Sequence, residues 1–191
     1  MKKYALFILS ALILCACASK MEEIQYYHLP AAPLEAQEAL SGKNYVLVTP
    51  VVVAEYLAGS GIVYQVDSVE YKTAKNSRWA EGLSTQLQNS LADELRASLP
   101  GQMILTHRQT APQLTVSVQI NGFHGRYGGK AVVSGEWMIT GGENVVMQKN
   151  FEHEVGQEAD GYKSLIEALY EGWKTEAGNI AAAVKSLRDQ K

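Results

Sequence analysis

Two rhythms of apolar and polar residues run through the chain. Leu114, Val116, Val118 and Ile120 alternate with Thr115, Ser117, Gln119 and Asn121, which predicts a strand with one buried and one polar face. Residues 131–140 repeat the pattern with Val133, Trp137 and Ile139, and residues 143–155 with Val145, Met147 and Phe151. Residues 125–130 read as a glycine-containing loop and Gly141-Gly142 as a two-residue turn, so the three strands form a meander. Residues 44–53 are β-rich, and Pro50 inside them predicts an edge or a bulge. Residues 62–66 and 69–73 predict a hairpin over Asp67-Ser68. Residues 26–29 predict a short strand ended by Pro30 and Pro33. Residues 34–42 support no assignment. Glu55-Tyr56-Leu57 precede a turn at Gly59-Ser60-Gly61.

The second rhythm is helical. Leu83, Leu87, Leu91, Leu95 and Leu99 recur every fourth residue, predicting a helix over 78–99. Ser77 would cap it, Glu81 lies in its first turn, Trp79 and Ala80 sit at its entrance, and Pro100-Gly101 stop it. A second helix is predicted from an Asp160 cap to about Leu187. Its stripe is Tyr162, Leu165, Ile166, Leu169, Trp173, Ile180, Val184 and Leu187, with Gly172 and Gly178 as local weak points. Strands, helix, strands, helix predict one α+β domain over 26–191. Its sheet is antiparallel or mixed, with two long helices packed on one face.

The N-terminus has a different character. Lys2 and Lys3 precede an apolar run over 4–17 broken only by Ser10, the length of an export signal and too short for a membrane span. Leu14-Cys15-Ala16-Cys17 resembles a bacterial lipobox. That resemblance implies cleavage before Cys17, with residues 1–16 removed. It also implies a diacylglyceryl group on the Cys17 thiol and an N-acyl chain such as palmitate on its amine. Cys15 is the poorer candidate, because bulky Leu14 precedes it. Two acyl chains already anchor a protein stably, so three make the attachment effectively permanent. Ala18 follows the cysteine. In bacterial lipoproteins an Asp there retains the protein at the inner membrane, so its absence implies the outer membrane, with the domain in the periplasm. Residues 17–25 then form a lipidated cysteine and a short tether.

Composition narrows the function. The chain has 191 residues, is 47% hydrophobic and 19% charged, and carries a net charge of −3, which excludes disorder. Loss of Lys2 and Lys3 leaves 15 basic residues against 20 acidic ones, a net −5, and argues against nucleic acid as a partner. Both cysteines lie in the first 17 residues, so no disulfide framework or cysteine metal site is expected. His28, His107, His124 and His153 show no metal-ligand spacing, and there is no HExxH or GxSxG motif. His153 reads as a surface histidine on a strand, facing away from Glu152 and Glu154. Residues 125–130 fail as a phosphate loop, because His124 takes the first glycine position and Ala131 the Ser/Thr position. No cofactor and no enzymatic activity are expected.

Several blocks then resemble one family in order along the chain. They are Tyr26-Tyr27-x-Leu29, then Val46-x-Val48-x-Pro50-x-Val52 running on to Tyr56-Leu57, and Ile62-Val63-Tyr64. Arg78-Trp79-Ala80-Glu81-x-Leu83, Ser134-Gly135-Glu136-Trp137 and the final helix follow. Together they are similar to the ABC-type transport auxiliary lipoproteins. Gly59-Ser60-Gly61 departs from the more polar segment usual there. The resemblance implies an adaptor on the outer membrane, partnered by an MCE-domain (mammalian cell entry) tunnel protein that moves phospholipid or other apolar molecules between membranes. It also implies a homo-oligomeric ring and no chemistry of its own. Tyr56 and Leu57 are candidate partner contacts, or core packing under a loop. Arg78 and Trp79 are likewise an interface pair, or an ion-paired residue and a core plug. Two other functions fit the same sequence: an assembly or structural outer-membrane lipoprotein, and a periplasmic lipid-binding carrier. Cys17→Ser is expected to leave the protein soluble or at the inner membrane. Envelope fractionation checks this, and unchanged outer-membrane recovery would refute the anchor.

Overall fold

The computed structural model describes residues 23–33, 45–109 and 111–189. The export signal, Cys17, most of the tether and residues 34–42 lie outside these. The centre of the fold is β7 (Leu114–Arg126), which forms the expected meander with β8 (Lys130–Gly141) and β9 (Asn144–Gly156). The other edge of β7 is met in turn by three short parallel strands, β2 (Tyr45–Val48), β3 (Val52–Val53) and β4 (Gly61–Gln65). β6 (Met103–Leu105) extends the sheet parallel to β2. β5 (Tyr71–Trp79) pairs antiparallel with β4, and β1 (Gln25–Tyr27) pairs parallel with β5. The sheet is therefore mixed, with nine strands among the described residues. Helices α1 (Leu83–Ser98) and α2 (Tyr162–Asp189) pack against each other and against the sheet.

Alternation sets the two faces. Val116, Ile120, Val133, Trp137 and Ile139 are buried, whereas Ser117, Gln119, Glu136 and Met138 are not. A bulge after Ile120 inserts one residue and shifts the parity, so Phe123 joins the core and His124 faces the opposite side. The leucine stripe of α1 is buried as its spacing predicts, from Leu83 through Leu99. Gly172 is a contact point of α2: a Cβ there would lie 2.9 Å from Val133 Cγ2, so the glycine lets helix and strand approach closely.

Several boundaries differ from the sequence expectation. The first helix begins at Leu83, after a Gly82 cap position, and Ser77-Arg78-Trp79 belong to β5. Pairing decides this. Ser77, Arg78 and Trp79 face β1 on one edge, and Trp79 N–H donates to the Ser60 carbonyl at 2.7 Å. Strand β7 runs on to Arg126, so the loop is only residues 127–129. The next turn is Gly142–Glu143, one residue later than expected, with Gly142 at φ 63°. Pro50 breaks the β-rich run into β2 and β3 rather than bulging one strand. The second helix starts two residues after Asp160.

His153 is the clearest correction. It faces α2, and its Nε2 donates to Glu176 Oε2 at 2.7 Å. Glu176 is fully buried and also accepts from Trp137 Nε1 at 2.6 Å and Asn179 Nδ2 at 2.9 Å. Three donors compensate a carboxylate that would otherwise be costly to bury, and they join α2 to both β8 and β9. Glu176→Ala strands those donors and is expected to cost about 3–5 kcal/mol of stability, read as a lower urea midpoint.

Candidate functional site

The candidate contact residues separate into a surface pair and a core pair. Leu57 closes a 3₁₀ turn (Glu55–Leu57) and is buried. Trp79 is buried at the end of β5, its ring 6.1 Å from that of Phe123. Successive strand residues point to opposite faces, so Arg78 projects away from the core, and its Nε donates to the Lys75 carbonyl at 3.3 Å. Tyr56 is 42% exposed, and its hydroxyl donates to the Asn121 carbonyl at 2.8 Å. The structure thus leaves Tyr56 and Arg78 available on the face opposite the helices and places Leu57 and Trp79 inside.

Around Tyr56 lies a small aromatic cluster that sequence reasoning missed. Its ring centroid is 5.2 Å from that of Tyr71 and 6.4 Å from that of His124, and Tyr71 meets His124 edge-on at 5.1 Å. Nothing in sequence spacing joins residues 56, 71 and 124; the parallel pairing of β4 with β7 and the bulge in β7 bring them together. His124 is buried, and its Nδ1 donates to the Gly125 carbonyl at 2.9 Å. Burial lowers the His124 pKa from the usual 6.5, more than its bond to Gly125 raises it, and Arg126 lowers it further. Burial, and then Tyr71, push the Tyr56 phenol up to about 12. The cluster is therefore a neutral aromatic surface. Beside it, Arg126 and Lys130 both pair with Glu154, the lysine at 2.6 Å.

Other polar groups hold structure. Tyr170 on α2 donates to the buried Glu94 on α1 at 2.6 Å, and its phenol is raised by burial and by that bond. Buried Gln86 accepts from Leu29 N–H at 2.9 Å, tying the chain after β1 to α1. Among the described residues no group of three His, Cys, Asp or Glu side chains could hold a metal. A shallow cleft of about 260 Å³ lies on the helix-free face, lined by residues including Thr49, Val52, Gln119, Glu136 and Met138.

Residues 27–181 match the family described as the ABC-type transport auxiliary lipoprotein component. The chain belongs to this family. It is 38% identical over 188 residues to the intermembrane transport lipoprotein PqiC of Escherichia coli strain K12, spanning 98% of this chain and all of that protein. PqiC of Shigella flexneri matches equally. A crystal structure of an uncharacterized protein is 37% identical, with a TM-score of 0.76, covering 85% of this chain and 99% of that one. A Xanthomonas campestris protein shares the fold at 13% identity and a TM-score of 0.69, over 87% of this chain and 98% of its own. The mixed sheet with two helices is thus the architecture of this transport auxiliary lipoprotein and of both solved proteins.

The lowered His124 pKa has a signed consequence. Below pH 6.5 the unfolded chain binds a proton at this position that the folded chain resists, so stability falls as pH drops through that value. Urea melts at pH 7.5 and 5.5 are expected to show a smaller acid loss for His124→Gln than for the parent. An equal or larger loss in the variant would refute this assignment.

Proposed function

We propose that this lipoprotein is the outer-membrane-anchored, periplasmic adaptor of an intermembrane phospholipid transport system. It docks an MCE-domain tunnel protein, as a ring of copies around the tunnel tip, and carries out no covalent chemistry. The observation that carries this reading is the full-length similarity to a protein named as an intermembrane transport lipoprotein. Physical chemistry agrees with it. Exposing each lipid CH₂ to water costs about 0.8 kcal/mol, so a transport route needs a shielded path and a seal at each membrane. A domain on a short tether is held at high effective concentration for a partner arriving at that surface. The buried titratable groups Glu94, His124 and Glu176 are all engaged in hydrogen bonds that hold the fold together.

The carrier alternative needs an apolar cavity long enough for an acyl chain. Two larger surface clefts, of about 380 and 410 Å³, are walled by Gln65, Arg126 and Asp160 and by Glu158, Glu167 and Glu171 respectively. The charged side chains in both walls do not suit a hydrocarbon tail, and the more apolar cleft beside Pro50, Val52 and Met138, at about 260 Å³, is smaller than a usual ligand pocket. Tyr56 and Arg78, the exposed members of the candidate set, form the proposed contact with the tunnel protein.

Envelope extracts in mild detergent are expected to yield the MCE-domain protein with this chain. Tyr56→Ala and Arg78→Ala should each weaken that association by about 1–2 kcal/mol without changing membrane fractionation. Recovery of the lipoprotein alone, from extracts shown to contain the MCE-domain protein, would overturn the adaptor reading.

A further inference from the structure

Three exposed apolar side chains, Ile24, Val69 and Tyr127, lie at one end of the fold, where the adaptor reading does not use them. β1 runs parallel to β5, with Gln25 level with Ser77. The chain preceding Gln25 therefore leaves toward the start of β5, the end where the β4–β5 hairpin turns over at residues 66–70. β4 is parallel to β7, with Gln65 level with Arg126, so the β7–β8 turn lies at the same end. Tyr127 N–H joins the two by donating to the Gln65 carbonyl at 3.1 Å. At this end Val69 is 83% exposed, Tyr127 54% and, nearer the tether, Ile24 40%. Asp67 shapes the tip, accepting from the N–H groups of Val69 and Glu70 at 2.8 and 2.7 Å.

The length of the tether decides what this end meets. Gln25 lies eight residues beyond Cys17, a span of at most about 26–29 Å when fully extended. From Ser77 back to Tyr71, β5 advances only about 10 Å along the sheet, because its register against β4 shifts between Gly61 and Val63, and the hairpin turn projects further. A bilayer holding acyl chains on Cys17 therefore lies close to the hairpin tip. The β8–β9 turn is about 40 Å from this end along β8 and so about 30 Å from Gln25, at the limit of a fully extended tether and opposite to the direction in which the chain leaves β1. Charge does not provide the attraction: Glu70 pairs with Lys72 at 3.3 Å and Glu154 with Lys130 at 2.6 Å, while the exposed Asp67, Glu158 and Asp160 add negative charge at this end.

We propose that this end is a membrane-docking surface, with Val69 and Tyr127 entering the interfacial layer of the phospholipid leaflet that carries the anchor. Apolar groups bury about 5–10 Å into that layer, and tyrosine favours it because its ring is apolar and its hydroxyl polar. Docking gives the domain a fixed orientation. The β8–β9 turn points into the periplasm, where the exposed Val145 and Val146 can meet protein. The proposal rests on acylation of Cys17.

The test uses the full lipidated protein, whose mature chain contains Cys17 as its sole cysteine, already blocked by acylation. Val69→Cys, Tyr127→Cys and Glu143→Cys are labelled with bimane. Each is reconstituted into phosphatidylethanolamine–phosphatidylglycerol vesicles containing a brominated phosphatidylcholine. The expected result is quenching at positions 69 and 127, none at 143, and little change with salt or phosphatidylglycerol content. Vesicle flotation is measured in parallel. Protein that floats with unquenched labels at 69 and 127, with quenching at 143, or with quenching abolished by salt overturns the docking surface while leaving the anchor intact. Protein that fails to float overturns the anchor reading itself, and the docking surface with it.

Discussion

The structure depends on one requirement: a 13-residue strand must satisfy its backbone groups on both edges. β8 covers one edge of β7 along almost its whole length. The other edge is covered in pieces by β2, β3 and β4, and the joints between them matter as much as the strands. Thr49 N–H donates to the Val116 carbonyl at 3.0 Å and Ala54 N–H to the Ile120 carbonyl at 2.9 Å, carrying the ladder past Pro50 and into the 3₁₀ turn. That turn lifts Tyr56 over the polar face. The aromatic cluster is thus a by-product of how a discontinuous edge was completed.

On the covered face, polarity is used sparingly and mostly in pairs or networks; the buried Ser90 Oγ and Trp173 Nε1 are the exceptions among the described residues. Glu176 fastens α2 to two strands, Glu94 accepts from Tyr170 to join the helices, and Gln86 holds the segment after β1 against α1. Each of these buried groups has specific partners, so the helical layer has one docked position.

Periodicity made much of this legible. The leucine stripe of α1 and the alternation of β7 declare which side is buried, because burial acts on every side chain in proportion to its apolar surface. Arg78 and Trp79 were harder to read. Ala74 to Ser77 have little intrinsic strand preference, and it is pairing of Ser77, Arg78 and Trp79 with β1, and of Arg78 with Gly61, that holds the chain extended at this end of β5. His153 looked like a surface residue because its partner lies 23 positions later, on an element whose rotation about its axis no local pattern reveals. The Tyr56, Tyr71 and His124 cluster depends on a bulge and on parallel pairing, both consequences of tertiary contacts. The candidate pairs at 56–57 and 78–79 each divided between surface and core because adjacent residues on extended or tightly turned backbone diverge.

The outer edge of β9 carries a further consequence. Among the described residues it pairs with β8 alone, leaving a long ladder of N–H and C=O groups without a neighbouring strand. Bare strand edges of this kind adhere on contact. The helix-free side of β9 bears Glu152 and Glu154, both paired with Arg126 and the second also with Lys130, so their charge is largely balanced within the sheet. Identical edges would meet little electrostatic resistance, which leaves this edge open to extension by a strand from a second copy or from another chain.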